Sequence, residues 1–437
     1  MNNKLLNIVI SMLLVPLGIN AQEKNDPPKY GITFSGFVKT DVFYDSRQTV
    51  NIREGHFMLY PDNIALDANQ KDINASSSIN MLSIQSRLKG SITGPDAFGA
   101  KTSGVLEGDF FGNENAAFSD LNGFRLRHAI VKLNWTKAEL MVGQFFHPML
   151  NVDCFPDVVS FNTGSPFQPF SRNPQIRYTY KLGSLKVIAT ALTQRDFTSI
   201  GPEYTLKSGI YESSSLGSSK YLRNAGIPNL NLILQLNPDS TEHLFALGVD
   251  YKTLAPELYT VNAAKNKRFE SNEKLASVSG FANIKLKLKP VTLRAQAVYA
   301  QNATDLVMIG GYAVKQIADT ATGAKEFTNL NTGSVWLDFS TNGKKVQFGV
   351  FGGFTKNMGS KDDIETSLFY ARGTNIDNVY RISPRLVFIS GRLNIALEGE
   401  YTSASYGTVN SNGKGGVTAG LQSVENIRGL LAFTYKF

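Results

Sequence analysis

Basic side chains recur at alternating positions along several extended segments of the sequence. Those that we predict to face the inside of a common structure are Arg87, Arg125, Arg127, Arg177, Lys181, Arg294, Arg381, Arg385 and Arg428. Four carboxylates oppose them: Glu107 and Asp109 in a strand-like segment, and Asp153 and Asp157 in a loop. Cations that face acids across a narrow space attract and orient anions without any covalent step. The alternative is that these charges pair along the wall and only stiffen it, and the sequence leaves both interpretations open.

Residues for covalent or metal chemistry are scarce by comparison. The histidines His56, His128, His147 and His243 have no metal-ligand spacing. The sequence also contains no Gly-x-Ser-x-Gly elbow, no phosphate-binding loop and no zinc pattern. We therefore predict no catalytic residue, no metal site and no cofactor.

The elements that position the charges are best seen in the last stretch, Glu425–Phe437. Ile427, Phe433 and Tyr435 fall on one face of an extended chain, whereas Arg428 and Lys436 fall on the other, because strand side chains alternate. A strand that is aromatic on one side and cationic on the other is suited to a wall between lipid and water. The alternation predicts the closing strand of a transmembrane β-barrel.

Similar alternation continues through the chain and predicts an all-β fold, an antiparallel barrel of about 16 strands. The clearest segment carries four leucines on one face, at positions 230, 232, 234 and 236. Tight turns such as Lys181-Leu182-Gly183-Ser184 alternate with long polar loops, as in outer-membrane barrels. Beyond the N-terminal segment no run of about 18 apolar residues occurs, so a helical membrane protein is excluded.

The chain divides into three predicted parts. Residues 1–21 have the lysine, apolar run and small terminal residue of a secretory signal peptide. Residues 22–30 form a short polar linker in the periplasm, and residues 31–437 form the barrel, whose long extracellular loops we interpret as solvated coil. The single cysteine, Cys154, cannot form an internal disulfide, so a disulfide framework does not stabilise this exported protein.

The charge balance favours anionic partners. The formal net charge is +8, from 44 Lys and Arg against 36 Asp and Glu. These basic residues are spread along alternating segments instead of forming a basic arm or helix, which favours anionic solutes over nucleic acid.

One loop, Phe146–Asn173, is too rich in proline for a strand and too apolar for solvent. It carries Pro148, Pro156, Pro166 and Pro169, together with aromatic residues that include Phe155 and Phe161. Folding into the barrel resolves this conflict, and we predict a constriction loop that presents Asp153, Phe155, Asp157 and Phe161. The alternative is that the loop packs on a neighbouring subunit or caps the barrel from outside.

The alternation slips at Arg125 and Arg127, which share parity with Val131 and Leu133. Arginine on the lipid face at mid-bilayer costs about 2–4 kcal/mol, so two such residues are disfavoured. A β-bulge that turns one half of the strand inward costs less, and we predict one here.

Three stretches together resemble a known family. They are S-G-F-V-K-T-D-V-F-Y-D at 35–45, F-R-L-R-H-A-I-V from Phe124, and M-V-G-Q-F-F-H-P ending at Pro148. With the aromatic C-terminal strand, they are similar to the trimeric outer-membrane porins of the DcaP-like family. The resemblance implies a homotrimer, a constricting third outer loop, and uptake of small anionic solutes such as dicarboxylates. Arg125 and Arg127 match the family motif and are implied to lie in the lumen.

The resemblance has one departure. Members of the family can carry a periplasmic coiled coil before the barrel, and residues 22–30 are too few for one. Any trimer of this chain is therefore expected to depend on contacts between barrels.

The resulting interpretation is a porin in the outer membrane of a Gram-negative bacterium, a passive channel in contact with lipid and lipopolysaccharide. Two alternatives stay open. One is a barrel enzyme of the lipase or protease type, for which His128 and His147 are weak candidates. The other is a soluble secreted β-sandwich that binds carbohydrate.

Overall fold

The computed structural model describes residues 30–112, 122–238, 242–262, 266–411 and 413–437. The predicted signal peptide, 1–21, and nearly all of the linker, 22–30, lie outside these ranges and stay predictions. No helix in the described ranges has the length and apolar character needed to cross a membrane.

Sixteen antiparallel strands form a closed barrel, as the alternation predicts. Most are 8–20 residues long and place polar side chains inside and apolar ones outside. Their bounds are Gly31–Asp45, Ser78–Leu82 continued by Arg87–Thr93, Lys101–Asp109, Arg125–Asn134, Ala138–Phe146, Arg172–Leu182, Leu185–Leu192, Asn229–Leu236, Leu244–Leu254, Leu275–Lys287, Val291–Gln301, Ala324–Thr341, Val346–Ser360, Ile376–Ser390, Leu393–Val409 and Val417–Lys436. The second strand is written in two parts because residues 83–86 interrupt it, and both parts pair with Gly31–Asp45.

The last strand pairs with the first and closes the barrel. The register runs from Phe37 opposite Lys436 to Asp45 opposite Arg428. Closure removes both edges of the sheet, so each backbone group along the seam finds a partner inside the membrane. The closing pairing is therefore confirmed, and the closed barrel excludes the β-sandwich alternative.

The outer face of the barrel is apolar, as a lipid-facing wall requires. Leu230, Leu232, Leu234 and Leu236 are each 41–47% exposed, whereas Asn229, Asn231 and Gln235 between them are buried. A run of exposed leucines is stable in lipid and not in water.

Replacing Leu232 by arginine should destabilise the folded barrel by about 2–4 kcal/mol, because position 232 lies mid-strand on the lipid face. Leu236→Arg is the matched control, since Leu236 ends the same strand beside a turn and the cost near the interface is about 0–1 kcal/mol. Urea unfolding in lipid vesicles measures both. Equal losses at the two positions would contradict the assignment of this face to lipid.

A β-bulge lies at Arg127, as the slipped alternation predicts. Glu107 pairs with His128 and Gly108 pairs with Leu126, so Arg127 is the extra residue. The bulge lets Arg125 and Arg127 both point inward while Leu126 and Val131 stay exposed on the outside.

The long loops contain further secondary structure, so their interpretation as solvated coil is wrong. Their strands are Thr49–Ile52, Phe57–Pro61, Ile200–Lys207, Ile210–Gly217, Tyr259–Asn262, Lys267–Glu270, Gly310–Asp319 and Phe369–Arg372, with a helix at Lys220–Arg223 and a 3₁₀ turn at Thr304–Leu306. The physical reason is burial. Alternating apolar residues within these loops pack on one another, for example Tyr221, Tyr312 and Tyr370.

The largest apolar cluster lies inside the barrel instead of between layers. Loop residues such as Phe57, Phe170 and Ile309 are almost fully buried there. They pack against inward-facing wall residues, including Trp336 and Phe351. Three loop segments, 49–61, 147–171 and 302–310, therefore fill a large part of the lumen.

Candidate pore lining

The loop 147–171, here called the inner loop, crosses the lumen and contacts the wall at widely separated strands. Gln296 donates to the carbonyl of Met149 at 2.7 Å, and Ser334 donates to the carbonyl of Phe167 at 2.7 Å. Arg381 donates to the carbonyl of Ser165 at 2.9 Å. These contacts confirm that the loop folds into the barrel and exclude its packing outside.

Side chains of the barrel wall bind the middle of the inner loop, at both its backbone N–H groups and a backbone carbonyl. The Glu398 carboxylate accepts the backbone N–H groups of Val159, at 2.8 Å, and Ser160, at 2.9 Å. Lys39 donates to the carbonyl of Val159 at 2.9 Å, and Glu400 accepts from the Asn162 amide at 2.7 Å. Backbone N–H groups bonded to a carboxylate make the stronger class of hydrogen bond, so these side chains fix the loop in place.

A second segment also folds inward, and sequence reasoning missed it. The hairpin formed by Thr49–Ile52 and Phe57–Pro61, here the first-loop hairpin, meets inner-wall side chains. Arg381 donates to the carbonyl of Leu59 at 2.9 Å, and Tyr406 donates to that of Pro61 at 2.7 Å. The available signal was the run F-M-L-Y-P at 57–61, which is too apolar for an exposed loop.

Five of the predicted charges meet in one network on the inner wall. Asp109 accepts Arg125 Nε at 2.7 Å and Arg127 Nη1 at 2.7 Å. Glu107 accepts Arg127 Nε at 2.8 Å, and Arg87 lies 3.6 Å from Glu107. The bulge allows this arrangement, because it turns both bulge-strand arginines toward the same carboxylate.

Loop residues that the sequence did not single out extend this network. Asp196 accepts Arg172 at 2.8 Å and Arg53 at 3.1 Å, and it lies 3.6 Å from Arg125. Burial alone would raise the pKa of Asp196, but the neighbouring guanidinium groups of Arg172, Arg53 and Arg125 lower it to about 2.

The combined cluster therefore has five guanidinium groups, those of Arg53, Arg87, Arg125, Arg127 and Arg172, against three carboxylates, Glu107, Asp109 and Asp196. It carries a surplus of positive charge.

A smaller charge group lies on the opposite part of the wall. Asp338 accepts Arg385 through two bonds, at 2.7 and 3.1 Å, and Arg294 at 3.2 Å. The backbone N–H of Asp157 also donates to Asp338, at 3.2 Å, and the Asp157 carboxylate lies 4.0 Å from Arg385. This group joins the inner loop to the wall.

Arg381 and Arg428 point inward but lie beneath loops. Arg428 forms two bonds with Asp45, at 2.9 and 2.7 Å, and donates to the carbonyl of Gly55 in the first-loop hairpin. Each arginine is about 1% exposed. Both arginines hold loop backbone, and their role in lining a pore stays a prediction.

Two cavities lie beside the inner loop, and both are bordered by Leu150 and Val152. The larger cavity, about 700 Å³, is here called the vestibule. Part of its lining comes from residues at the end of the barrel where tight turns join the strands, such as Ile389 and Lys436. Its charged lining consists of Lys39, Arg87, Arg127, Arg385, Lys436 and one acid, Asp157. The smaller, about 280 Å³, is lined by Lys132, Arg177, Lys181 and Lys186 with Glu139 and Asp153.

The predicted loop aromatics differ in their surroundings. Phe155 is half-buried and borders the vestibule. Phe161 also borders it but is only 2% exposed, because its ring stacks on Phe111 at 4.4 Å between centroids.

The histidines make structural contacts. His128 lies between the rings of Phe145 and Phe146, and His147 meets the Asn229 amide at 3.1 Å. In the part of the chain that the structure describes, neither ring is hydrogen-bonded to a serine or cysteine, and no three potential metal ligands converge.

A closed sixteen-stranded barrel with an apolar outer face and an inward-folded loop defines the chain as an outer-membrane barrel of the porin type. Residues 20–201 match the model of the DcaP outer membrane protein family. The protein is therefore located in the outer membrane of a Gram-negative bacterium, and the resemblance predicted from the sequence is confirmed. Comparison with curated protein sequences found no match.

Solved structures agree at the level of the fold. The outer membrane channel DcaP of Acinetobacter baumannii superposes with a TM-score of 0.64 at 15% identity, over 95% of this chain and 100% of that chain. OmpT of Vibrio cholerae gives a TM-score of 0.53 at 8% identity, over 95% and 100% of the two chains. A trimer form of OmpT gives a TM-score of 0.51 at 8% identity, over 93% and 99%.

Proposed function

We propose that this porin-type barrel is a passive diffusion channel for small hydrophilic anions and carries out no catalytic step. The observation that carries the proposal is the charge around the two cavities. Nine cationic side chains border them against three carboxylates, Glu139, Asp153 and Asp157. Such an excess inside low-dielectric walls raises the local concentration of anions and repels cations.

We propose that the charged residues predicted from the sequence line the pore, some by bordering the cavities and others through ion pairs. Arg87, Arg127, Arg177, Lys181 and Arg385 border the cavities directly. The other predicted charges, Glu107, Asp109, Arg125 and Arg294, contribute through ion pairs with them or beside them. The inner loop forms the constriction, with Asp153 and Asp157 as the acids that oppose the wall.

The assembly is proposed to be a homotrimer embedded in lipid and lipopolysaccharide. The family resemblance supports it, as does the existence of a trimer form of OmpT with a similar fold. The trimer would rest on contacts between the apolar outer faces of the barrels.

In a planar bilayer with a potassium chloride gradient, the reversal potential should show that chloride is more permeant than potassium. Replacing Arg125 and Arg127 together by alanine should move the permeability ratio toward unity, because it abolishes the positive surplus of the arginine cluster.

Lys207→Ala removes one positive charge from an exposed outer hairpin and serves as the control, with no change expected. A heat-shift gel verifies that each variant is folded. Preference for potassium in the natural protein would overturn the anion-selective channel, and an unchanged ratio in the double variant would remove these two arginines from the lining.

A further inference from the structure

The vestibule is unusual for a water-filled space because apolar side chains face one another across it. On the wall, Phe37, Val387 and Ile389 take positions on the inner face, where most wall residues are polar. On the inner loop, Phe155 and Val158 line the opposite side. Two apolar surfaces that remain half-buried around a cavity of about 700 Å³ form a site for an apolar body.

One cation at the edge of this apolar space is incompletely paired. Arg87 lies 3.6 Å from Glu107, whose Oε1 already accepts Arg127 at 2.8 Å. The Nε atom of Arg87 is buried and faces Glu107 beyond hydrogen-bond distance. The side chain is 22% exposed and borders the vestibule, so its terminal Nη groups are the donors that a ligand can reach. Three other vestibule cations are bound to carboxylates: Lys39 to Asp41, Arg127 to Asp109 and Arg385 to Asp338. The fifth, Lys436, is exposed at the end of its strand. Arg87 therefore has donor capacity available for an anion.

The register places this cation beside an aromatic ring. Phe37 is opposite Arg87 on one side and opposite Lys436 on the other, so the three side chains form a row on the inner wall. The Arg87 guanidinium lies 5.1 Å from the centre of the Phe37 ring. An anionic head at Arg87 would thus sit next to the start of an apolar surface.

We propose that the vestibule is a binding site for amphiphilic monoanions, in which one carboxylate binds Arg87 and an aliphatic chain lies between Phe37 and the inner loop. The head accepts from the accessible Nη groups of Arg87, and the chain removes the apolar faces of Phe155, Val158 and Val387 from water. A second charge at the far end of the chain would meet these apolar faces and lose its hydration. The proposal depends on the proposed channel only in that the site lies in the same lumen.

Octanoate, butyrate and octanedioate distinguish the parts of the proposal. Octanoate has four more CH₂ groups than butyrate, and full burial of one CH₂ group tightens binding by about fourfold. Even if only half of this surface is buried, octanoate should bind about tenfold more tightly than butyrate. Octanedioate, which has the same length and two charges, should bind more weakly than octanoate. Calorimetry of the purified protein in detergent gives the affinities, and block of the potassium chloride current in a planar bilayer locates binding in the pore.

Arg87→Gln should weaken octanoate and butyrate alike, whereas Val158→Thr, which keeps the side-chain shape, should reduce only the advantage of octanoate. Lys89→Gln is the control: it removes an inward cation two residues along the same strand that does not border the vestibule.

Equal affinities for octanoate and butyrate in the natural protein would overturn the proposal, whatever the variants do. Tighter binding of octanedioate than of octanoate would overturn the proposed preference for monoanions and indicate a site for dianions. Absence of any potassium chloride current would instead contradict the proposed diffusion channel. Calorimetry would still show whether the vestibule binds amphiphilic monoanions.

Discussion

Replacing Glu398 by alanine is expected to release the middle of the inner loop from the wall and to raise the mean conductance of the channel. The carboxylate accepts two backbone N–H groups, those of Val159 and Ser160, and is itself buried. A hydrogen bond to a charged group contributes about 1.5–3 kcal/mol, and every 1.4 kcal/mol is a tenfold change in a population. Conformations with the loop away from the wall should therefore increase at least about tenfold.

Two measurements check this expectation. Single-channel recording should show a larger mean conductance and more frequent steps between levels, because the loop moves and the lumen widens. Hydrogen exchange followed by mass spectrometry should show faster exchange in peptides that contain Val159 and Ser160. The two readouts are independent, since exchange reports the lost N–H bonds and conductance reports the geometry of the pore.

Glu425→Gln is the matched control for Glu398→Ala. Glu425 is an exposed carboxylate on the neighbouring strand, and its removal changes the charge without touching the inner loop. Unchanged conductance and unchanged exchange in Glu398→Ala would mean that the loop is held by its other contacts, chiefly those of Lys39 and Glu400.

The wall of the barrel was largely predictable because its rule is local. A side chain that faces lipid must be apolar and its neighbour need not be, so the pattern at Leu230, Leu232 and Leu234 is visible in the sequence. The same rule identified the bulge, since Arg125 and Arg127 violate the alternation and only an extra residue turns both inward. The last strand begins at Val417, before the predicted Glu425, because it pairs with Leu393–Val409 beyond the lipid-facing section.

The interior was only partly predictable because its contacts join segments far apart in the chain. The inner loop was found through its composition, but its partners Glu398 and Glu400 lie more than two hundred residues away. The first-loop hairpin was missed because Thr49–Ile52 is short and only half apolar, and only the adjacent run from Phe57 to Pro61 shows that the hairpin must be buried. Likewise Asp196 becomes the partner of Arg172 and Arg53 only after three segments meet.

Replacing Asp109 by asparagine is expected to destabilise the barrel by about 3 kcal/mol, because removing one member of a buried ion pair leaves its partners uncompensated. Asp109 is fully buried and binds both Arg125 and Arg127, at 2.7 Å each. Asparagine keeps the size of the side chain and one acceptor oxygen but loses the charge. Urea unfolding in lipid vesicles should show the loss as a lower midpoint.

The control for Asp109→Asn is Glu139→Gln. Glu139 also faces inward and pairs with a basic residue, Lys132, at 3.0 Å, but both side chains are partly exposed. An ion pair in contact with water contributes about 0–1 kcal/mol, so this variant should unfold close to the natural protein. Equal midpoints for the two variants would show that the arginine cluster is well solvated, in contradiction to its burial.

Asp109→Asn also separates the two interpretations that the sequence left open for the inward charges, attraction of anions and stiffening of the wall. If the cluster attracts anions, Asp109→Asn increases its positive surplus, and the chloride-to-potassium permeability ratio rises while stability falls. If the charges only stiffen the wall, stability falls and the permeability ratio stays the same. Because Arg125 is partly exposed and Arg87 borders the vestibule, we expect the ratio to rise.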